Sequence, residues 1–373
     1  MRPGRMKVFL SKTLRKPLPF VKILEEILVD RYTCRVTKKA TLREVARKAG
    51  VSLGMAGRVL GNYGSFSKAT QQKVRAAARA VHYSPNAIAK ALKTKLTKTA
   101  GVLISDITAS FWTTMVRGMQ DRAARDGYSI IVCNSDEEAH AERASLAALT
   151  ERAIDGLIIC PTLGTHSHLK KLSRGGMPLV FVDRKLPGFS APSVRVDNRA
   201  GAKEAVSYLI SLGHRRIAVI RGIDGVETSD ERYGGYEEAL SEARISLQPW
   251  LVKEGRFSKN KAFEATHELL EAKTRPSAIF VCNELMASGC MLALKEAGIR
   301  IPQDLSLIVF DDPVWAAYTS PPITGMSQPS YTMGILAFDY LLNQIARPKK
   351  STPRMDDVIL KTTLVVRDSC RHV

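Results

Sequence analysis

From Thr99 onward, short β-branched runs alternate with longer amphipathic stretches. Strands are predicted at "AGVLIS", "SIIVCN", "DGLIICP", "PLVFVD", "SVRVD", "RRIAVIRG", "SAIFVCN" and "LSLIVFDD". Helices are predicted between them at 112–126, 138–152, 198–212, 231–244, 260–271, 284–297 and 331–346. Alternation of this kind argues for parallel sheets covered on both faces. Residues 99–373 are too many for one such sheet, so two α/β lobes are expected.

Upstream, residues 41–81 read as three short helices. Thr41 and Glu44 have the spacing of a capping box. Leu42, Val45, Ala46 and Ala49 then recur on one face, and Gly50 suits a C-cap. Ser52 is placed to cap the next helix, which buries Ala56, Val59 and Leu60 beside Val51. After the turn "GNYGS", Ser67 caps a third helix with Val74, Ala77, Ala78 and Val81 inward. Helix, glycine turn and helix make a helix-turn-helix unit. "YSPNAIAKALKTKLTKT" has helical composition but is too short to hold a helix in isolation, and reads as a helix that orders on a partner or as a linker.

Charge separates the two parts. Residues 1–98 carry 23 Lys and Arg against 4 Asp and Glu, whereas residues 99–373 carry 33 against 32. A basic helical module on a near-neutral body points to a polyanionic partner. The opening residues 1–38 are basic, and Lys22, Glu25 and Glu26 interrupt their apolar run, which excludes a secretory signal. They read either as a short amphipathic helix or as an artefact of start-codon choice, with the true start at Val36. No apolar run is long enough to span a membrane. The six cysteines match no zinc module and read as the reduced thiols of a cytoplasmic protein.

Ligands of open α/β sheets bind beyond the carboxyl ends of strands. The residues there are Ser105 and Asp106, Asp183 and Arg184, Asp197 and Asn198, Asn283 and Glu284, and Asp311 and Asp312, with Arg232 after a later loop. Together with Phe111, Trp112 and Phe257, this polar set suits a small hydroxyl-rich molecule. Any one of these residues alone would more simply be a strand-end cap.

The chain resembles the lactose-repressor/galactose-repressor (LacI/GalR) family of bacterial transcription regulators. "TLREVARKAGVS", "SKATQQKVRAAARAVHYSPNAIAKAL", "TKTAGVLISDI", "IDGLIICP", "VRVDNRAGAKEAVSYLISLGHRRIAVI" and "VFDD" carry the likeness, which covers residues 40–367. It implies an all-α helix-turn-helix headpiece and an α/β body of two parallel-sheet lobes like the periplasmic sugar-binding proteins. The implied divisions are a basic extension at 1–38, a DNA-binding domain at 39–84, a hinge helix or linker at 85–98 and an effector-binding and dimerisation domain at 99–373. It also implies a homodimer on a pseudo-palindromic operator in double-stranded DNA. Leu53, Gly54 and Arg58 would read bases, Arg58 foremost. Thr41, Ser52, Ser67 and Thr70 would hold phosphates, with Asn62 near the groove. Leu92 would wedge into the minor groove, Lys93 would follow it, and Ala89 would pack near the twofold axis.

For the effector, the resemblance carries over Ser105, Phe111, Asp183, Arg232, Phe257, Asn283, Asp311 and Gln328. Three features depart from the family pattern. Met55 and Gly57 replace phosphate-binding hydroxyls, Gly54 gives up a reading side chain, and Glu284 replaces an aspartate. The glycines admit two accounts, close backbone approach to DNA or a weakened headpiece; in the first, Met55 touches a thymine methyl.

The reading is a repressor controlled by a sugar-like metabolite, without cofactor, metal or membrane association. A purine effector is the rival, and would need an aromatic sandwich from Phe111 and Trp112. A solute-binding transport protein would lack the basic headpiece. An enzyme would need motifs that are missing, and His214 in "GHRRI" reads as structural. No leucine heptad follows "ILKTTLVVRDSCRHV", so a dimer rather than a tetramer is expected.

Overall fold

The computed structural model describes residues 40–61, 63–84, 96–164, 166–346 and 356–373. The chain separates into two compact units, Met1–Lys90 and Ala91–Val373.

In the first unit, α1 (Leu42–Ala49), α2 (Leu53–Gly61) and α3 (Lys68–Ala80) form a small core. The capping box is in place: Glu44 N donates to Thr41 Oγ1 at 3.3 Å, and Thr41 N donates to Glu44 Oε2 at 2.6 Å. Gly50 ends α1 at φ 64, where a side chain would be strained. Ser52 and Ser67 cap the next two helices by accepting from Met55 N at 3.2 Å and Thr70 N at 3.1 Å. Val45, Ala46, Ala56, Val59, Val74, Ala77 and Ala78 are buried together. These are small side chains, so the headpiece has little apolar area to hold it.

The second unit has two sheets. The first lobe is wholly parallel, built from β1 (Thr99–Ile104), β2 (Ser129–Asn134), β3 (Gly156–Ile159), β4 (Leu179–Val182), β5 (Ser193–Val196) and β11 (Val358–Leu360), in the order β11-β5-β4-β3-β1-β2. The second holds β6 (Ile217–Arg221), β7 (Val252–Glu254), β8 (Ala278–Val281), β9 (Ser306–Phe310), β10 (Thr324–Ser327) and β12 (Thr363–Val365), in the order β12-β10-β9-β8-β6-β7. In that sheet only β12 runs antiparallel.

The helices that position the site are α4 (Ser110–Arg125), α5 (Ala139–Glu151), α6 (Ser167–Arg174), α7 (Asn198–Ser211), α8 (Glu227–Glu242), α9 (Lys259–Glu271), α10 (Glu284–Glu296) and α11 (Ser330–Ala346). The chain passes between lobes at 196–198, 327–330 and 360–363. Helix α11 thereby returns to the first lobe, where Met333, Ala337, Phe338 and Leu341 join its core. Glycine permits its close crossing with α4, because a Cβ on Gly334 would lie 2.0 Å from Met115 O.

The structure adds to the sequence reading in four places. Strand β7, strand β10 and helix α6 carry no strong apolar period. The C-terminal run "ILKTTLVV" contributes to two strands, each joining a different sheet. Helix α8 begins at Glu227 rather than 231, because its first turn buries Thr228 and Ser229 instead of apolar residues. Thr97 and Lys98, placed in the linker by sequence, are tied to the body by Asp155, which accepts from both backbone N–H groups at 2.8 Å.

Candidate functional site

A cavity of about 520 Å³ lies between the lobes, and Ser105, Phe111, Asp183, Arg232, Phe257, Asn283, Asp311 and Gln328 all line it. Each comes from a strand end or an adjoining helix. Ser105 follows β1, Asp183 follows β4, Asn283 follows β8, Asp311 follows β9 and Gln328 follows β10. Three of these side chains depend on left-handed backbone: Asp183 at φ 67, Phe257 at φ 55 and Asp311 at φ 100. Such conformations cost roughly 1–3 kcal/mol each and concentrate at functional sites. Sequence reasoning gave no sign of them.

Arg232 is a buried, oriented cation of the pocket. Its Nε donates to Asn198 Oδ1 at 2.8 Å and its Nη1 to the Cys282 carbonyl at 2.6 Å. The guanidinium lies over the Phe310 ring, 3.9 Å from the centroid. Among the described residues Nη2 makes no hydrogen bond, which leaves a fixed donor for a guest. Asp311 accepts from Glu284 N at 2.9 Å and from Gln328 Nε2 at 2.6 Å. Burial pushes its carboxyl up to about 6, against the lowering by Arg232 and these two donors. Gln328 Oε1 is a buried acceptor with no partner. A buried acceptor without a donor carries an uncompensated desolvation cost of roughly 1–3 kcal/mol.

On the facing lobe, charge is already paired. Arg184 is held by Glu137 in two hydrogen bonds of 2.9 and 2.7 Å and by Asp183 at 3.4 Å. Burial opposes its charge, yet Cys160, Glu137 and Asp183 hold the guanidinium well above its ordinary range. Phe257 lies flush on Gly222, where a Cβ would come within 2.3 Å of its ring. Phe111 and Trp112 meet edge to face, with centroids 4.9 Å apart. Trp112 also lines the cavity while being only 5% exposed.

Glu284 bridges the two lobes, a role the sequence did not signal. Its Oε2 accepts from Ser110 N at 2.8 Å and Ser110 Oγ at 2.7 Å, at the start of α4. Its Oε1 accepts from Trp315 Nε1 at 3.2 Å. Its own N–H binds Asp311, so one residue touches both the pocket carboxylate and the opposite lobe.

In the headpiece, Leu53, Gly54 and Arg58 are exposed on α2, with Leu53 at 49%. A Cβ on Gly54 would meet nothing within 4 Å, and one on Gly57 would make only ordinary contact with Leu42 at 3.6 Å. Internal packing therefore does not require either glycine. Met55 packs part-buried against the headpiece core, which accounts for an apolar residue there without a DNA contact. Thr41, Ser52 and Ser67 spend acceptor capacity on helix N–H groups, and Ser67 Oγ lies 2.9 Å from Thr70 Oγ1. Asn62, Ala89, Leu92 and Lys93 fall outside the described residues. His214 is structural in its bonding: its ring meets Ser277 Oγ, Ser306 Oγ and the Arg371 carbonyl at 2.9–3.1 Å.

A basic helix-turn-helix headpiece joined in one chain to a two-lobed α/β body with a polar cleft defines a DNA-binding regulator. Residues 41–86 match the model of bacterial regulatory proteins of the lacI family, and residues 206–370 match that of a periplasmic binding protein-like domain. The HTH-type transcriptional repressor PurR of Haemophilus influenzae (strain PittEE) is 30% identical over 337 residues, 90% of this chain and 99% of that protein. PurR of Vibrio atlanticus (strain LGP32) is 34% identical over 307 residues, covering 82% and 92%. Among solved structures, a lac repressor dimer bound to operator and the anti-inducer ONPF is 27% identical, with a TM-score of 0.78, over 90% of this chain and 100% of that one. A regulator from Enterococcus faecium with bound ribose is 31% identical, with a TM-score of 0.66, over 74% and 99%. The chain belongs to the LacI family of bacterial regulatory proteins. It is a DNA-binding transcriptional repressor and not an enzyme. No helix among the described residues is long and apolar enough to cross a membrane.

Proposed function

We propose that this repressor binds a pseudo-palindromic operator as a homodimer and is controlled by a small hydroxyl-rich molecule of carbohydrate type. The observation that carries the effector class is the polar set of Arg232, Asp311 and Gln328, in which Gln328 Oε1 is a buried acceptor with no partner. Arg232 offers a fixed N–H donor, while ionised Asp311 and Gln328 Oε1 offer acceptors. Adjacent hydroxyls, each both donor and acceptor, satisfy such a set. Ser105, Asp183 and Asn283 extend it, and Phe257 and Phe111 supply apolar faces for the ring. A purine sandwiched between two aromatic faces needs them about 7 Å apart, twice a contact distance of about 3.5 Å. Phe111 and Trp112 are edge to face at 4.9 Å and form no such slot between themselves.

On the DNA side, Arg58 reads a base edge, with Leu53 and Gly54 beside it. Ser52, Ser67, Thr70 and Thr41 meet phosphates. The Ser52 hydroxyl accepts a helix N–H and retains its own proton for a phosphate oxygen. The Thr41 hydroxyl donates to Glu44 Oε2, and one of the Ser67 and Thr70 hydroxyls donates to the other, so those would exchange that partner on binding. The helix N-terminus favours the anion. Asn62, Ala89, Leu92 and Lys93 belong to the same proposed interface by sequence resemblance alone. Coupling runs through Glu284. A guest that binds Asp311 changes the partner of the Glu284 N–H, while the Glu284 carboxylate holds the opposite lobe. The ligand shifts the equilibrium only by its differential affinity for the two lobe arrangements.

The test is calorimetric titration of the full-length protein with pentoses, hexoses, disaccharides and nucleobases. Fluorescence anisotropy on the DNA upstream of its own gene follows, with and without each hit. Saturable binding of a carbohydrate that changes operator affinity supports the reading. Binding of nucleobases alone overturns the effector class, and equal affinity for operator and scrambled DNA overturns the operator reading.

A further inference from the structure

The first lobe holds a second cluster, apart from the effector pocket. Glu142 lies in the first turn of α5, with 1% of its side chain exposed. Its Oε2 is satisfied by Thr162, whose N donates at 2.7 Å and whose Oγ1 donates at 3.0 Å. Its Oε1 faces two imidazoles. His168 Nε2 is 2.8 Å away and His166 Nδ1 is 3.7 Å away. One such atom from each of the three residues lies within 4.8 Å of the others.

One hydrogen-bonded imidazole would suffice to partner the second oxygen of this buried carboxylate, and His168 is placed to do so. His166 is then unexplained. Its Nδ1 is buried, lies 3.7 Å from the same oxygen, beyond hydrogen-bond reach, and among the described residues makes no hydrogen bond, as is also true of His168 Nδ1. It serves no helix cap either, although it stands at the N-cap of α6. Two nitrogens and one oxygen converging on a single point form a cation-binding geometry.

We propose that Glu142, His166 and His168 form a binding site for a divalent transition-metal ion of the zinc class. Zinc takes nitrogen at about 2.0–2.1 Å and carboxylate oxygen at about 2.0–2.2 Å, so tetrahedral ligand atoms sit about 3.4 Å apart. The observed 2.8 and 3.7 Å bracket that spacing, and small side-chain rotations reach it. Two imidazoles favour zinc, cobalt or nickel over magnesium and calcium, which take oxygen. Thr162 orients the carboxylate from behind, as outer-shell partners of metal ligands do. His166 and Thr162 border a separate cleft of about 600 Å³, from which water supplies the remaining coordination. Neither histidine nor Glu142 lines the effector cavity, so this site does not depend on the effector reading. The metal would tie His166 and His168 to α5.

The full-length protein, stripped with a chelator and desalted, is titrated with Zn²⁺ against a chromophoric competitor and with Co²⁺ while its ligand-field absorption is followed. One equivalent per chain is expected. H166Q and H168Q, which keep side-chain volume, are each expected to weaken it by more than the roughly 10–100-fold that loss of an outer-shell partner costs. Wild-type affinity in either variant, or no stoichiometric binding, overturns the site. Zinc-edge X-ray absorption of the wild-type protein gives a readout that no variant's folding can spoil. Two imidazole nitrogens and oxygen are expected, and a spectrum without imidazole overturns the proposal.

Discussion

The headpiece and the body place their candidate contact groups in opposite surroundings. On the headpiece, Ser52, Leu53, Gly54, Arg58 and Ser67 are exposed. In the body, Ser105, Asp183, Arg232 and Asp311 are buried, each at 8% exposure or less. The first arrangement suits a large solvated polyanion, bound mainly by charge and strongly weakened by salt. The second suits a small guest that must shed its water, where each hydrogen bond is strong because screening is weak. Substitutions in the body should therefore act strongly and with little salt dependence, and those in the headpiece more weakly and with a steep one.

Arg232→Ala tests the body most severely. It removes a buried cation whose Nη2 makes no hydrogen bond among the described residues. Effector affinity should fall by about 1.5–3 kcal/mol for each charge-assisted hydrogen bond lost. The deficit should be the same at low and high salt. Arg232→Lys keeps the charge but loses the planar fork, and should fall between. Asn198 Oδ1 and the Cys282 carbonyl lose their partner too, so the melting temperature of the body should drop. Unchanged titration curves for Arg232→Ala would remove this residue from the site.

Glu284→Gln separates binding from response. A glutamine has one acceptor oxygen, so it cannot serve both Ser110 and Trp315 as the carboxylate does. Allosteric couplings are typically about 1–3 kcal/mol. The variant should lose most of the effector's influence on operator affinity while still binding effector and DNA separately. Anisotropy with and without effector reads this directly. A full response in Glu284→Gln would show that the bridge is static.

Asp311 gives the body a pH signature. Its carboxyl is raised from 3.8 to about 6 by burial, so the folded chain holds this proton over a range where the unfolded chain has released it. The group's contribution to stability is complete below about pH 4 and is lost as pH rises through about 6. Effector affinity should run the other way, falling as acidification turns the acceptor into a donor. Asp311→Asn should flatten both profiles. Parallel movement of stability and affinity in the wild type would contradict this assignment.

How far the sequence foretold these parts follows from the range of the interactions. The headpiece was legible because its signals are local: Thr41 with Glu44, Gly50 at φ 64, Ser52 and Ser67 at helix starts. The pocket's polar residues other than Arg232 and Gln328 were legible because each follows an apolar strand. Helix α6 and strand β10 were not, since "SHLKKLSR" and "TGMS" are short and weakly patterned. The Glu284 bridge to Ser110 spans 174 residues of sequence, and no local pattern encodes it. Nor does composition show that Gln328 Oε1 is left without a donor.

Gly54→Ala is the smallest change and bears on the headpiece alone. Alanine in a helix interior is favoured over glycine by about 1 kcal/mol. Among the described residues nothing beyond the adjacent helix backbone lies within 4 Å of the added methyl. Gly54 is the second residue of α2, so part of that gain should appear in headpiece stability. Melting of the body should not change. If the glycine serves close approach of the backbone to DNA, the methyl enters that space and operator affinity drops despite the firmer helix. The salt slope should stay the same, because no charge is altered. If instead the glycine merely weakens the headpiece, affinity rises with stability, and the account of α2 as a helix pared down to meet DNA fails.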